Sequence, residues 1–386
     1  MNYRLNTTDE VDFYQLYLYA FNKPDSPQRR AFFSQRYQHA WVYGLKEQQR
    51  LVSGLYSIPF QVNFHQVIYQ MNGIGDVMSA PEFAGRGGAG TLLRTALTEM
   101  AAKGVTLSYL APFSFRYYRR FGYEQVFDHT LYQIASADLP RLKIDVHGQI
   151  QRLPLATAWP QLQDFYTAQP SSQRGGLLRP DWWWQYLSAK NPAWEVALRF
   201  DAQQQLTGYL IYQRTATTFD VQEWQFVDSA TYQELALFIT KHGTSYQQFS
   251  YAAPTAAQLD RLTEPYALTA KTVPYMMARI VNLKDFLQRY PFTCDFAPIT
   301  LQVSDDILPA NQATWQLQRQ QGQTQIATST VAGELKLSIQ SLTKASFGYR
   351  RLTDLLHYGE ISGSQQVAQK LDQALVHEAP CLIDYF

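Results

Sequence analysis

GIGDVMSAPEFAGRGGAGTLL, residues Gly73–Leu93, is the stretch that decides the fold. Val77, Met78 and Ser79 close a short apolar strand that reaches Pro81. Gly85, Arg86, Gly87, Gly88, Ala89 and Gly90 then form a glycine-dense turn, and a helix follows over TLLRTALTEMAAK, beginning at Thr91. Glycines at a strand-to-helix turn let the backbone come close to a ligand. The first amides of a helix have no partner inside it, so they face whatever sits there. An anion is the natural guest. The turn therefore reads as a phosphate cradle.

Working outward, the spacing predicts helices near Asp9–Ala20 and Gln28–Arg36 and a strand over His39–Leu45. Two further extended runs, Val52–Pro59 and Phe60–Gln70, are rich in β-branched and aromatic residues. Beyond the cradle, Leu92, Leu93, Leu97 and Met100 recur at helical spacing and Gly104 stops the helix. A strand over Val105–Leu110, a short helix over Phe113–Arg120 and a strand over Tyr123–Ile134 complete an α/β unit with a mixed sheet. From Gln149 a similar order returns, which indicates an internal duplication. Its corresponding turn, Val227-Asp228-Ser229-Ala230-Thr231, lacks glycine, and Asp228 would repel a phosphate. A small α+β unit ends the chain. The expected domains are 1–148, 149–282 and 283–386. The last residues, Cys381–Phe386, are too apolar for a frayed tail and argue for burial.

Composition narrows the function classes. Hydrophobic residues make up 46% and charged residues 17% of 386, which suits a globular protein of two or three domains. The net charge of +1 gives no electrostatic case for nucleic acid or an anionic membrane surface. Two cysteines far apart, Cys294 and Cys381, and seven scattered histidines show no metal-ligand spacing, so no metal is expected. The polar N-terminal stretch does not read as a signal peptide, and no apolar run approaches the ~20 residues of a membrane span. A cytoplasmic location is the expectation.

Two motifs carry a resemblance. Ala84-Gly85-Arg86-Gly87-Gly88-Ala89 after a strand, and Tyr118-Arg119-Arg120-Phe121-Gly122-Tyr123, resemble the signatures of the GNAT N-acetyltransferase superfamily. Gly175-Gly176-Leu177-Leu178-Arg179-Pro180, Met277-Ala278-Arg279-Ile280-Val281-Asn282 and the terminal Phe386 extend the likeness to its three-domain Eis-like branch, named for enhanced intracellular survival. The resemblance implies two tandem GNAT-like mixed-sheet domains, the second without a cofactor cradle, and a sterol-carrier-like α+β domain. It implies acetyl-coenzyme A as cosubstrate, with the pyrophosphate held by residues 85–91 and the thioester by backbone groups of Val77, Met78 and Ser79. It implies direct transfer of the acetyl group to a primary amine, with Tyr118 as general acid and the Phe386 carboxylate assisting deprotonation of the amine. Ala84 stands where the family carries Arg or Gln, and Arg86 is at hand to compensate.

The acceptor is less defined. The branch implies aminoglycosides, polyamines or lysine-like amines, small-molecule or peptide, and hexameric relatives imply a homo-oligomer. A cationic acceptor asks for carboxylates, for which Asp25, Asp76 and Asp384 are candidates. Tyr385 occupies a position where an acid would have suited a polycation, so a pocket of Phe32, Phe33, Trp41 and Tyr385 points instead to a more apolar amine. A different class of function is an apolar-ligand carrier built on the sterol-carrier-like domain, with a vestigial transferase core.

Overall fold

The structure is a computed structural model that describes residues 3–386 apart from 256, 258 and 260–262. Its first unit runs α1 (Glu10–Ala20), α2 (Pro27–His39), β1 (Trp41–Glu47), β2 (Arg50–Phe64), β3 (Val67–Ser79), α3 (Gly88–Ala102), β4 (Leu107–Leu110), α4 (Phe115–Arg119) and β5 (Glu124–Ala135). The second runs β6 (Gln149–Pro154), α5 (Leu155–Ala168), β7 (Arg174–Leu177), α6 (Asp181–Lys190), β8 (Trp194–Phe200), β9 (Leu206–Arg214), β10 (Thr218–Phe226), α7 (Ser229–Thr240), β11 (Gln248–Ala253) and β12 (Thr269–Ile280). The third holds α8 (Leu283–Arg289), β13 (Phe296–Ser304), β14 (Ala313–Gln320), β15 (Gln323–Thr328), β16 (Leu335–Ser338), α9 (Ile339–Ser346), α10 (Leu352–His357), β17 (Ser362–Gly363) and α11 (Gln365–Ala374). The fold is mixed α/β, with a five-stranded second sheet in the third unit.

The first two units share one sheet. Its strand order is β1-β2-β3-β4-β12-β5-β11-β10-β9-β8-β6, with β7 beside β2. Each unit builds an antiparallel meander, then a parallel pair across a helix: β3 with β4, and β10 with β11. The last strand of each unit crosses over. β12 lies against β4, β5 lies against β11, and β12 and β5 pair with each other. The sheet therefore runs through the position 148/149 at which the sequence changes pattern.

One local expectation fails for a clear reason. Pro59 read as a break between two runs, yet β2 continues through it to Phe64. β1 pairs with β2 only as far as Ser57, and β7 begins at Val62, so Pro59 sits where the outer edge needs no donor. The turn falls instead at His65–Gln66, both at positive φ, which suits a two-residue hairpin. Two helices without a sequence expectation, α5 and α8, fill out the second and third units.

Candidate active site

The site begins at a defect in β3. Gly54 pairs with Met78 but Tyr56 pairs with Gly75, so β3 carries one extra residue, centred on Asp76 at φ 47°. The parallel pairing of β3 with β4 runs from Met71 to Ile74 and stops opposite Leu110. Beyond that point the β4-facing edge of residues 75–79 has no strand partner, and the two strands open into a wedge. Val77 faces this opening, Met78 turns into the core, and the Ser79 hydroxyl is hydrogen-bonded to Ser53 at 2.8 Å.

The cradle follows directly. Gly85 and Gly87 take φ of 80° and 85°, and a Cβ at either would meet only open space. Glycine is demanded there by backbone conformation, not by crowding. α3 starts at Gly88, three residues before the expected Thr91, because left-handed Gly87 serves as its N-cap. Gly87 offers no side-chain cap, so the amides of Gly88, Ala89 and Gly90 remain free of helix partners. Gly88 also lets the helix close on β2, since a Cβ there would fall 2.6 Å from the Ser53 hydroxyl. Arg86 is exposed, its guanidinium 4.7 Å from the Phe83 ring centroid. The corresponding turn of the second unit differs: the Asp228 carboxylate accepts from the Thr231 amide at 2.8 Å and caps α7 itself.

The chain's last residues return to this wedge. The Phe386 side chain is buried, and a Cβ added to Gly73 would fall 2.5 Å from its ring. The main-chain carbonyl carbon of Phe386 stands 3.1 Å from a Cβ built on Gly75. The tail has no regular structure, so its backbone groups are satisfied elsewhere. Arg174 accepts from the Cys381 amide at 2.9 Å through its carbonyl, His129 Nε2 lies 2.8 Å from the Leu382 carbonyl, and the Tyr275 hydroxyl donates to Ile383 O at 3.0 Å. Asp384 is fully buried and receives Arg179 Nε at 2.9 Å and Trp183 Nε1 at 2.7 Å. Arg179 also binds Glu223 at 2.9 Å.

That network corrects the reading of Asp384 as an acceptor-binding residue. Its carboxylate points into the second unit and anchors the tail. Removing it leaves Arg179 short of one of its two buried partners, and breaking a buried pair costs about 3–5 kcal/mol. We expect Asp384→Ala to lower unfolding stability by about that amount in a denaturant titration. A loss below about 1 kcal/mol would show that the tail is held by other contacts.

The other expected acceptor residues divide. Asp76 lines the cleft, but it is ion-paired with buried Arg36. Burial pushes the Asp76 carboxyl above its ordinary range, opposed by Arg36 and Lys190. Tyr385 and Phe32 line the same cleft, whereas Phe33 is locked into the core against Phe13 and Tyr17. Asp25 stands off the cleft lining, bound to Arg30 and to the Tyr14 hydroxyl. Trp41 lies apart, packed by Lys103, whose Nζ is 4.5 Å from its ring centroid. Tyr118 lines the cleft from α4, with Phe113 5.1 Å away. Burial, chiefly, raises its phenol above the ordinary value.

Arg36, Arg179, Lys190, His129 and Tyr275 carry structural roles here that sequence reasoning missed. Arg36 had a signal: it follows Phe32 and Phe33 at helical spacing, on the face that α2 buries.

The comparisons agree with this geometry. Residues 3–126 and 175–280 each match an acetyltransferase (GNAT) domain, and residues 283–383 match a sterol carrier protein domain. A conserved protein from Enterococcus faecalis, described as a probable N-acyltransferase, shares 34% identity over 100% of this chain and 99% of its own, with TM-score 0.95. A GCN5-related N-acetyltransferase from Anabaena variabilis (22%, TM-score 0.89) and Eis1 from Mycobacterium abscessus (18%, TM-score 0.81) each cover 100% of this chain and 99% of their own, and share the fold. No curated protein matches the chain. Two such domains on one sheet, with a cradle and wedge in the first, define an acyltransferase of the GNAT class. The chain belongs to the GNAT acyltransferases, with two GNAT domains followed by a sterol carrier protein domain, an architecture it shares in fold with Eis1. Among the described residues no helix is long and apolar enough to cross a membrane, and no three His, Cys, Asp or Glu residues are grouped to hold a metal ion.

Proposed function

We propose that the chain transfers the acetyl group of acetyl-coenzyme A to a primary amine, in the wedge between β3 and β4. The observation that carries this is convergence. Tyr118, the unpaired edge of β3 and the carbonyl carbon of Phe386 meet at one cleft, which continues from the splay at Ile74. The uncapped amides of Gly88–Gly90 fit a pyrophosphate, which they hold without any side chain. Ala84 in place of Arg or Gln therefore removes an auxiliary contact and leaves the main one.

The amine nitrogen attacks the thioester carbon, a C–N bond forms and the C–S bond breaks. Backbone amides along residues 77–79 polarise the carbonyl oxygen. Tyr118 gives its proton to the departing sulfur. An alkylamine with a pKa of about 10 arrives protonated. The Phe386 carboxylate orients this cation and relays its proton toward water. The ordinary pKa of such a carboxylate, about 3.5, makes it a poor base on its own, so the proton passes on to water, while the Phe386 ring is held against Phe60 and Trp183.

The test is thiol release from acetyl-coenzyme A across a panel of amines, alongside a calorimetric titration of the cosubstrate. Gly87→Val forces a β-branched residue into left-handed backbone, a strain of about 1–3 kcal/mol. We expect it to weaken coenzyme A binding about tenfold or more. Unchanged affinity would place the pyrophosphate elsewhere. The apolar-carrier reading would use the third unit, whose Phe286, Tyr290 and Phe347 are turned against Phe64 of the first unit.

A further inference from the structure

We infer that the amine accepted by this site carries an anionic group, a carboxylate or a phosphate. The inference rests on the transferase reading and names its substrate class. The acceptor cleft, about 640 Å³, is lined by four cationic side chains, Lys23, Arg29, Arg36 and Lys190, against one side-chain carboxylate, Asp76. Arg36 and Asp76 neutralise each other. Three cations remain, with the Phe386 terminal carboxylate as the one further anion of the lining, and among the described residues none of the three lies within ion-pair distance of a side-chain carboxylate, Asp76 acting on Lys190 only at longer range.

The settings of Arg29 and Lys190 differ, one held by neutral oxygens and the other by ring faces. Arg29 is oriented by neutral oxygens, donating through Nε to the Pro24 carbonyl at 2.8 Å and through Nη1 to the Tyr17 hydroxyl at 3.2 Å. Lys190 Nζ lies 5.5 Å and 5.8 Å from the ring centroids of Tyr186 and Tyr385. Ring faces hold a cation in place but do not cancel its charge. None of residues 85–91 lines this cleft, so these cations are separate from the phosphate cradle of the cosubstrate.

A cleft walled by aromatic rings raises the reach of each charge, because low-polarisability walls focus the field. A polyamine or aminoglycoside would bring several positive charges into a cleft whose lining carries two more cations than anions. An acceptor with one amine and one anion satisfies both ends: the amine toward the Phe386 carboxylate, the anion toward Arg29 and Lys190. The Phe386 end can hold one cation, and nothing else in the cleft holds a second.

The experiment compares acceptors that differ mainly in charge. 4-Aminobutyrate, n-butylamine and 1,4-diaminobutane test the carboxylate arm; glucosamine 6-phosphate against glucosamine tests the phosphate arm; kanamycin stands for the polycations. We expect kcat/KM at least about tenfold higher for the anionic member of one arm, with 1,4-diaminobutane and kanamycin the poorest. The advantage shrinks as salt rises, since partly exposed charges are screened. Lys190→Glu and Arg29→Glu should invert the order, while cosubstrate affinity reports separately on the cradle. Calorimetric binding of the same amines, with and without coenzyme A, reads the preference even where no thiol is released. Absent cosubstrate binding would sink the transferase reading alone. Neutral or dicationic amines binding and reacting as well as their anionic counterparts would overturn the inference.

Discussion

Three residues appended after Phe386 lower turnover by about 10²–10³-fold, the scale on which a positioned acid or base contributes, while coenzyme A affinity stays within about twofold. The expectation follows from where the tail ends. A Cβ on Gly73 would strike the Phe386 ring, and one on Gly75 would touch its carbonyl carbon. An extension converts the carboxylate to an amide and drives new atoms into the wedge. The anchors behind it, Asp384 on Arg179 and Tyr275 on the Ile383 and Asp384 carbonyls, are left in place. The extended chain should therefore unfold at the wild-type denaturant midpoint. A variant that folds normally and turns over at the wild-type rate removes the carboxylate from the mechanism.

Tyr118→Phe is the second large effect, a fall in kcat of about 10²-fold or more with little change in the affinity for either substrate. The Tyr118 hydroxyl has no hydrogen-bond partner among the described residues, so its loss costs the fold little. Desolvation, foremost, and neighbouring tyrosines raise the phenol above its ordinary pKa of about 10. The group is therefore a reluctant acid in the resting cleft, but the same burial destabilises the leaving thiolate and makes it a stronger base. The pKa of an acid that must stay protonated is here displaced upward. The pH–rate profile should therefore show no alkaline loss attributable to Tyr118 below about pH 10. A Phe variant with normal kcat, or an alkaline limb near neutrality that the variant abolishes, would assign the proton to another donor.

The geometry of the glycine turn was legible because its physics is local. A run of glycines at a strand-to-helix turn states its backbone conformation in the residues themselves, and Tyr118 sits at a fixed spacing from Gly122-Tyr123. The apolar tail likewise announced its burial. The cleft beside it was not legible, because it is assembled from distant elements. Arg36 from α2 meets Asp76 on β3, and Lys190 from α6 meets Tyr385 on the tail. Asp384 looked like a ligand for a cation and is one, but the cation is Arg179 of the second unit. The strand exchange of β5 and β12 was equally invisible, since each strand reads the same whichever unit it joins. Pro59 misled because its meaning depends on which neighbour flanks the strand at that residue.

The central claim is that cradle, wedge and chain terminus form one reaction site, and a crystal structure with coenzyme A bound tests it most directly. The account predicts pyrophosphate oxygens on the amides of Gly88–Gly90, the pantetheine arm along the open edge of residues 75–79, and the sulfur in hydrogen-bond reach of the Tyr118 hydroxyl. Coenzyme A lying against another surface, or bound with its sulfur remote from both Tyr118 and Phe386, would contradict it.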